Sequence, residues 1–264
     1  MGKYDIYTTF DTPVPFRKMD KELLFYPVPV KKIFYFSAVS EVLLLEKNEG
    51  INISPEEMLK RISMSYLDYL FASATEENQY FSKLNVLLRL CLNKDEDESY
   101  KINMGYDGAE KAALVIDGML CTGSDFETIR EIIAEQNLLE FPDESIQKEL
   151  RDKLEEAERY KSKASGAVKP GTMEDLLICV LISSPFKNME DVYGMSIRKF
   201  RKILERVDAK MHYQIFVTAS MSGMVELKDK SVLAHWTRDL SKKRYSDVMV
   251  NPDTVAEKGG LTKK

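Results

Sequence analysis

Residues 196–221 read SIRKFRKILERVDAKMHYQIFVTASM. Ser196 is a residue type that accepts a hydrogen bond from the first turn of a helix. Behind it, Ile197, Phe200, Leu204, Val207, Met211, Thr218 and Met221 return at alternating spacings of three and four, with Gln214 as the polar break. Gly223 then stops the pattern. This predicts one long helix around which a C-terminal domain is built. Upstream, residues 189–193 predict a short helical turn ending at Gly194. Before that, Thr172 with Asp175 at the third position opens a helix that Ser184-Pro185 ends. Residues 176–182 of that helix are apolar all round, which predicts a central position. Downstream, residues 231–240 predict a short helix holding the only tryptophan, Trp236. After residue 241 the chain is polar, with Pro252 and Gly259-Gly260, and reads as a loose tail.

The N-terminal half also reads as mainly helical. Residues 22–28 look extended because Pro27 and Pro29 fix φ and remove donors. Residues 31–48 read as a buried helix, with Gly50 just past its end. Ser54-Pro55-Glu56-Glu57 is a strong helix start, and Leu59, Ile62, Tyr66, Leu67 and Leu70 continue its stripe. A third helix is expected over 76–92, with Tyr80, Leu84, Leu87, Leu88 and Cys91 on one face. Residues 101–104 and 113–116 flank Asp107-Gly108 and predict a small hairpin. Ser124-Asp125-Phe126-Glu127 reads as a capping box for a helix burying Phe126, Ile129, Ile132 and Ile133. Residues 143–163 carry seven acids and six bases, many three or four apart, as in a solvated connecting helix. The small, polar stretch 162–171 reads as a linker. The expected domains are 1–142 (helical, with the hairpin), 143–171 (charged helix and linker), 172–240 (C-terminal helical) and 241–264 (tail).

Composition narrows the class. The 264 residues are 44% hydrophobic and 31% charged, which fits a folded chain rather than a disordered one. No apolar run is long enough to span a bilayer, and the N-terminus lacks the apolar stretch of a signal peptide. With 38 basic and 43 acidic residues the net charge is −5, which argues against a globally basic nucleic-acid binder. Cys91, Cys121 and Cys179 are odd in number and far apart, as expected of thiols in a reducing compartment.

Marks of common enzyme chemistry are missing. The two histidines, His212 and His235, belong to no metal-binding spacing, and there is no C-x-x-C. There is no G-x-G-x-x-G, P-loop or G-x-S-x-G. Asp95-Glu96-Asp97-Glu98 begins like a calcium loop, but Tyr100 and Tyr106 occupy its glycine and final glutamate positions. No catalytic residue, cofactor or metal is therefore expected.

Two binding readings remain. The order of helix, short helix, Gly-Met-Ser and long helix over 172–207 follows the logic of a helix-turn-helix, with Arg198, Lys199, Arg201, Lys202 and Arg206 as candidate nucleic-acid contacts. Residues 186–212 hold seven bases and four acids, a local excess of three positive charges. A solvated basic face on a core helix explains the same pattern. The second reading places a partner on Met211, Tyr213, Phe216, Met221, Met224 and Trp236, because methionine-rich faces adapt to varied surfaces.

The string YGMSIRKFRKILERVDAKMHYQIFVTASMSGMVELKDKSVLAHWTRDL (193–240) resembles proteins encoded by phages and prophages of Gram-positive bacteria. LLFYPVPVKKIFYF (23–36), ISMSYLDYLF (62–71) and DFETIREIIAEQN (125–137) are similar to the same group, so the resemblance covers most of the chain. It implies a virion morphogenesis role, with tail assembly chaperone or tail-associated protein as the nearest label. The partner it implies is a tail tube or tape measure protein, met in the host cytoplasm. A structural virion component, such as a minor tail or baseplate protein, and a helix-turn-helix-like DNA-binding regulator are the alternatives. The expectation is thus a mainly α, non-enzymatic protein with a small β-hairpin, no small-molecule substrate and no membrane partner.

Overall fold

The computed structural model describes residues 3–47, 54–75, 79–108, 111–142, 152–154, 156, 157, 160, 171–222, 235–238 and 240. The order is α1 (Asp5–Phe10), β1 (Val14–Lys18), β2 (Lys21–Phe25), α2 (Ile33–Ser40), α3 (Pro55–Ser63), α4 (Tyr66–Ser73) and α5 (Tyr80–Cys91). Then come β3 (Ile102–Tyr106), β4 (Ala112–Ile116), β5 (Met119–Cys121), α6 (Gly123–Asn137), α7 (Met173–Ser183), α8 (Met189–Gly194) and α9 (Ile197–Met221). The class is mainly α with a little antiparallel β, as expected. The expected helix over 143–163, the linker, most of 231–240 and the tail lie largely or wholly outside the described residues.

Contacts divide the chain into Met1–Asp143 with Met173–Val207, and Glu144–Thr172 with Asp208–Lys264. The sequence reading put 172–240 in a domain of its own; instead Met173–Val207 groups with the N-terminal residues. The reason is backbone pairing. Val30 N donates to Met195 O at 2.8 Å, and Ile197 N donates to Val28 O at 2.8 Å.

In this first unit β1 and β2 pair antiparallel, Val14 opposite Phe25 and Lys18 opposite Lys21. Val14, Phe16, Leu23 and Phe25 are buried, the period-two face of a half-covered ribbon. The expected extended stretch is present as β2, but β1 and α1 are additions to the sequence reading. Pro15 hid β1, because proline weakens a strand signal although an edge strand tolerates it.

The expected hairpin is the first half of a three-stranded sheet, β3-β4-β5. Asp117 and Gly118 join β4 to β5 with φ of 48° and 71°, the left-handed pair that a two-residue hairpin loop requires. The β3–β4 connection is longer than Asp107-Gly108. Asp107 N donates to Lys111 O at 2.8 Å, and Lys111 N donates to Asp107 Oδ1 at 2.9 Å.

Three helices differ from the sequence reading. The helix expected over 31–48 is shorter: a 3-10 turn (Val30–Lys32), α2, and a 3-10 turn (Glu41–Leu43). Side chains from elsewhere take its C-terminal groups. Tyr66 Oη donates to Val42 O at 3.0 Å and accepts from Leu45 N at 2.9 Å. Arg130 Nε and Nη2 donate to Leu43 O at 2.9 and 2.8 Å. The stripe from Leu59 to Leu70 belongs to two helices, broken where Met64 and Ser65 turn extended. Ser65 Oγ caps α4 by accepting from Asp68 N at 3.1 Å, and Glu127 Oε1 accepts from Tyr66 N at 2.8 Å. Helix α6 starts two residues earlier than read. Its N-cap is Thr122, whose N–H donates to Asp125 Oδ2 at 2.8 Å.

The main core joins both sheets to α2, α4, α5 and α6. The Tyr66 and Phe126 rings stack at 6.4 Å, with the Arg130 guanidinium 3.7 Å over Tyr66. A smaller cluster of Val30, Val180, Val192, Met195 and Phe200 holds α7 and α8 against the start of α9. The expectation that α7 is central fails. Only Val180 of that helix is buried, and Ile182 is 78% exposed.

Candidate functional site

The expected helix, turn and long helix form at the positions read from sequence. Asn188 Oδ1 accepts from Asp191 N at 3.0 Å to start α8, and Ser196 Oγ accepts from Lys199 N at 3.1 Å to start α9. The turn between them is pinned from outside by the bridge of Pro29 to Ser196.

The five candidate nucleic-acid residues point to different surroundings. Arg201 Nη1 donates to Leu138 O at 2.7 Å and Asn137 O at 3.3 Å. Arg198 Nη1 donates to Glu135 O and lies 3.5 Å from Glu135 Oε2. Both guanidiniums therefore sit on the C-terminal carbonyls of α6, where the helix dipole favours a cation. Burial lowers the Arg201 pKa from its ordinary value, and Glu140 opposes that shift. Lys199 and Lys202 are exposed, and Lys202 pairs with Glu205 at 3.1 Å. Arg206 is half-buried.

The end of α6 is a polar hub that sequence reasoning missed. Gln136 Nε2 donates to Phe25 O at 2.8 Å, and Asn137 Oδ1 accepts from Val28 N at 3.0 Å. Both side chains are buried. No local pattern announces them, because their partners lie more than a hundred residues away in the chain.

The second unit holds the partner-binding candidates. Met211, Ile215 and Met221 are exposed, Met221 at 83%. Gln214, Ile215, Thr218, Ala219 and Ser222 lie together on one side of the same helix. Tyr213 meets His235 edge-on at 5.2 Å, and His235 lies 5.6 Å from Trp236. Phe216 stacks on His212 at 6.5 Å, and His212 Nδ1 is 3.4 Å from Asp208 Oδ2. Tyr213 and Trp236 thus meet through His235. Met224 lies outside the described residues.

Burial pushes the Cys91 thiol well above its ordinary value. Burial, with Asp125 adding and Lys18 opposing, raises Cys121 to about 11. Neither thiol is an activated nucleophile. Among the described residues, no group of three or more His, Cys, Asp or Glu side chains could hold a metal ion. Among them, too, no helix is long and apolar enough to cross a membrane.

Residues 161–241 match the model of a family described as YomV second domain. The match covers α7 to α9 and includes the string 193–240 that resembles phage proteins. It supports a phage-derived protein and carries no tail-assembly label. No curated protein and no solved structure matches the chain.

Proposed function

We propose that this chain is a non-enzymatic, chaperone-like assembly factor that binds a phage tail tube or tape measure protein through the C-terminal half of α9. The observation that carries the reading is the exposure of Met211, Ile215 and Met221 along one helix. Flexible thioether side chains suit a surface that must hold apolar segments of a partner before it polymerises. The match over 161–241 supports the phage setting, and the resemblance of the strings quoted above supports the tail.

The first test is quantitative mass spectrometry of purified virions beside the infected-cell lysate. A chaperone is abundant in the lysate and missing from particles. Stoichiometric presence in virions would replace this reading with a minor tail or baseplate component. The second test is co-purification of the tagged chain with individual tail proteins. Met211→Lys combined with Ile215→Lys is expected to abolish capture while the far-UV circular dichroism stays unchanged.

The order α7, α8, α9 with exposed Lys199 and Lys202 supports a regulator that binds duplex DNA. That reading ranks second because Arg198 and Arg201 are engaged by α6. A salt-dependent duplex titration separates the two.

A further inference from the structure

The three-stranded sheet has one edge whose backbone groups are left open. In the β3–β4 pair, Ile102 lies opposite Ile116 and Tyr106 opposite Ala112. Asp107 N donates to Lys111 O and Asp117 N donates to Lys101 O, so the odd-numbered residues of β3 face β4. The N–H and C=O groups of Ile102, Met104 and Tyr106 therefore point away from the sheet. Among the described residues none of them is hydrogen-bonded. Two outward groups elsewhere in this sheet do have partners. Ala112 N donates to Asp68 Oδ1 at 2.8 Å, and Leu120 O accepts from Lys18 Nζ at 2.8 Å.

The open edge also lacks the usual protection. Edge strands are normally blunted by lysine, proline or a bulge. Residues 102–106 read Ile-Asn-Met-Gly-Tyr, with no charge and no proline, and pair with β4 in unbroken register. Tyr106 is 69% exposed, and its ring meets Phe71 edge-on at 5.5 Å.

We propose that this edge pairs with β3 of a second copy of the chain, antiparallel about a two-fold axis at Met104. In that register Met104 faces Met104 of the other copy, and Ile102 faces its Tyr106. Each is a hydrogen-bonded pair, so every outward N–H and C=O of residues 102, 104 and 106 is satisfied in both copies. The opposite sheet face is complementary as well. Lys101 falls opposite the second copy's Asp107 at both ends. Asn103 falls opposite Gly105, where an added Cβ would meet nothing within 4 Å. Charge complementarity at the ends and apolar pairs between them select a second copy over an arbitrary strand. This inference is independent of the proposed function.

The test is sedimentation velocity of the full chain over a concentration series. The wild type is expected to show a concentration-dependent dimer. Lys101→Glu places like charges at both ends and should weaken the dimer about tenfold. Asp107→Lys should do the same, and an equimolar mixture of the two variants should regain wild-type association, because opposite charges then face each other at both ends. Far-UV circular dichroism checks that each variant is folded. Met104→Cys with a short bis-maleimide should give a covalent dimer that wild type does not. A monomer at every concentration overturns the proposal. So does a dimer that Lys101→Glu leaves unchanged, or an edge that binds only an unrelated strand.

Discussion

Replacing Arg201 by methionine separates a structural arginine from a nucleic-acid contact. The methionine keeps most of the apolar stem and removes the guanidinium that donates to Leu138 O and Asn137 O. A hydrogen bond to a charged group contributes about 1.5–3 kcal/mol. The group is half-buried, so water replaces part of the loss, and about 2 kcal/mol is expected. For a chain of this length that lowers Tm by about 4–8 °C. Arg198→Met should cost less, about 1 kcal/mol, because its ion-pair partner Glu135 is largely exposed. Lys199→Ala with Lys202→Ala should change stability by no more than about 0.5 kcal/mol, since both side chains are exposed. The assay is thermal melting of the three variants beside fluorescence anisotropy on duplex DNA at low salt. The reasoning is refuted if Arg201→Met melts with the wild type, or if it abolishes duplex binding at unchanged stability.

Tyr66→Phe leaves Leu45 N and Val42 O without their buried partner, and should cost about 2 kcal/mol in urea unfolding with no change in slope. The Asp125 carboxyl is partly desolvated, which raises its pKa, but hydrogen bonds from Lys18 and Thr122 outweigh this and hold it below the ordinary value of 3.8. A depressed carboxylate pKa stabilises the fold above the unfolded value and loses that contribution as pH falls through the folded one. Asp125→Asn should therefore melt below wild type at neutral pH, with the gap closing below about pH 4. Met19 sits at φ 52° with its side chain 93% exposed, so Met19→Gly relieves left-handed strain without losing packing. A gain of about 0.5–1 kcal/mol in chemical denaturation is expected.

Local signals carried far in this chain. Ser54 before Pro55, Asn188 before Met189 and Ser196 before Ile197 cap helices where their types and spacings indicate, and α9 ends at Met221 as its periodicity requires. Cap and period act within one or two turns, so a linear reading reaches them. The same reading missed the break at Ser65, although Ser65 and Asp68 have cap spacing, because the apolar stripe runs through it unbroken. It also put the α6 cap at Ser124, two residues late, since Thr122 and Ser124 both stand three residues before an acid.

The candidate site was legible in outline only. The exposed methionines on α9 were named from sequence, but the meeting of Tyr213, His235 and Trp236 joins residues more than twenty apart. The basic residues of α9 look alike along the chain. Only tertiary structure turns Arg198 and Arg201 onto the carbonyls of α6 while Lys199 and Lys202 face solvent.

By itself the sequence determined the helical class, the starts of α3, α7, α8 and α9, and the burial of Phe126, Ile129, Ile132 and Ile133. Tertiary structure decided where α2 stops, how Met173–Val207 joins the N-terminal residues, and which sheet edge stays open. The physical reason is range. Backbone propensity and capping are settled among neighbours, whereas buried polar groups find their partners only after distant segments have packed.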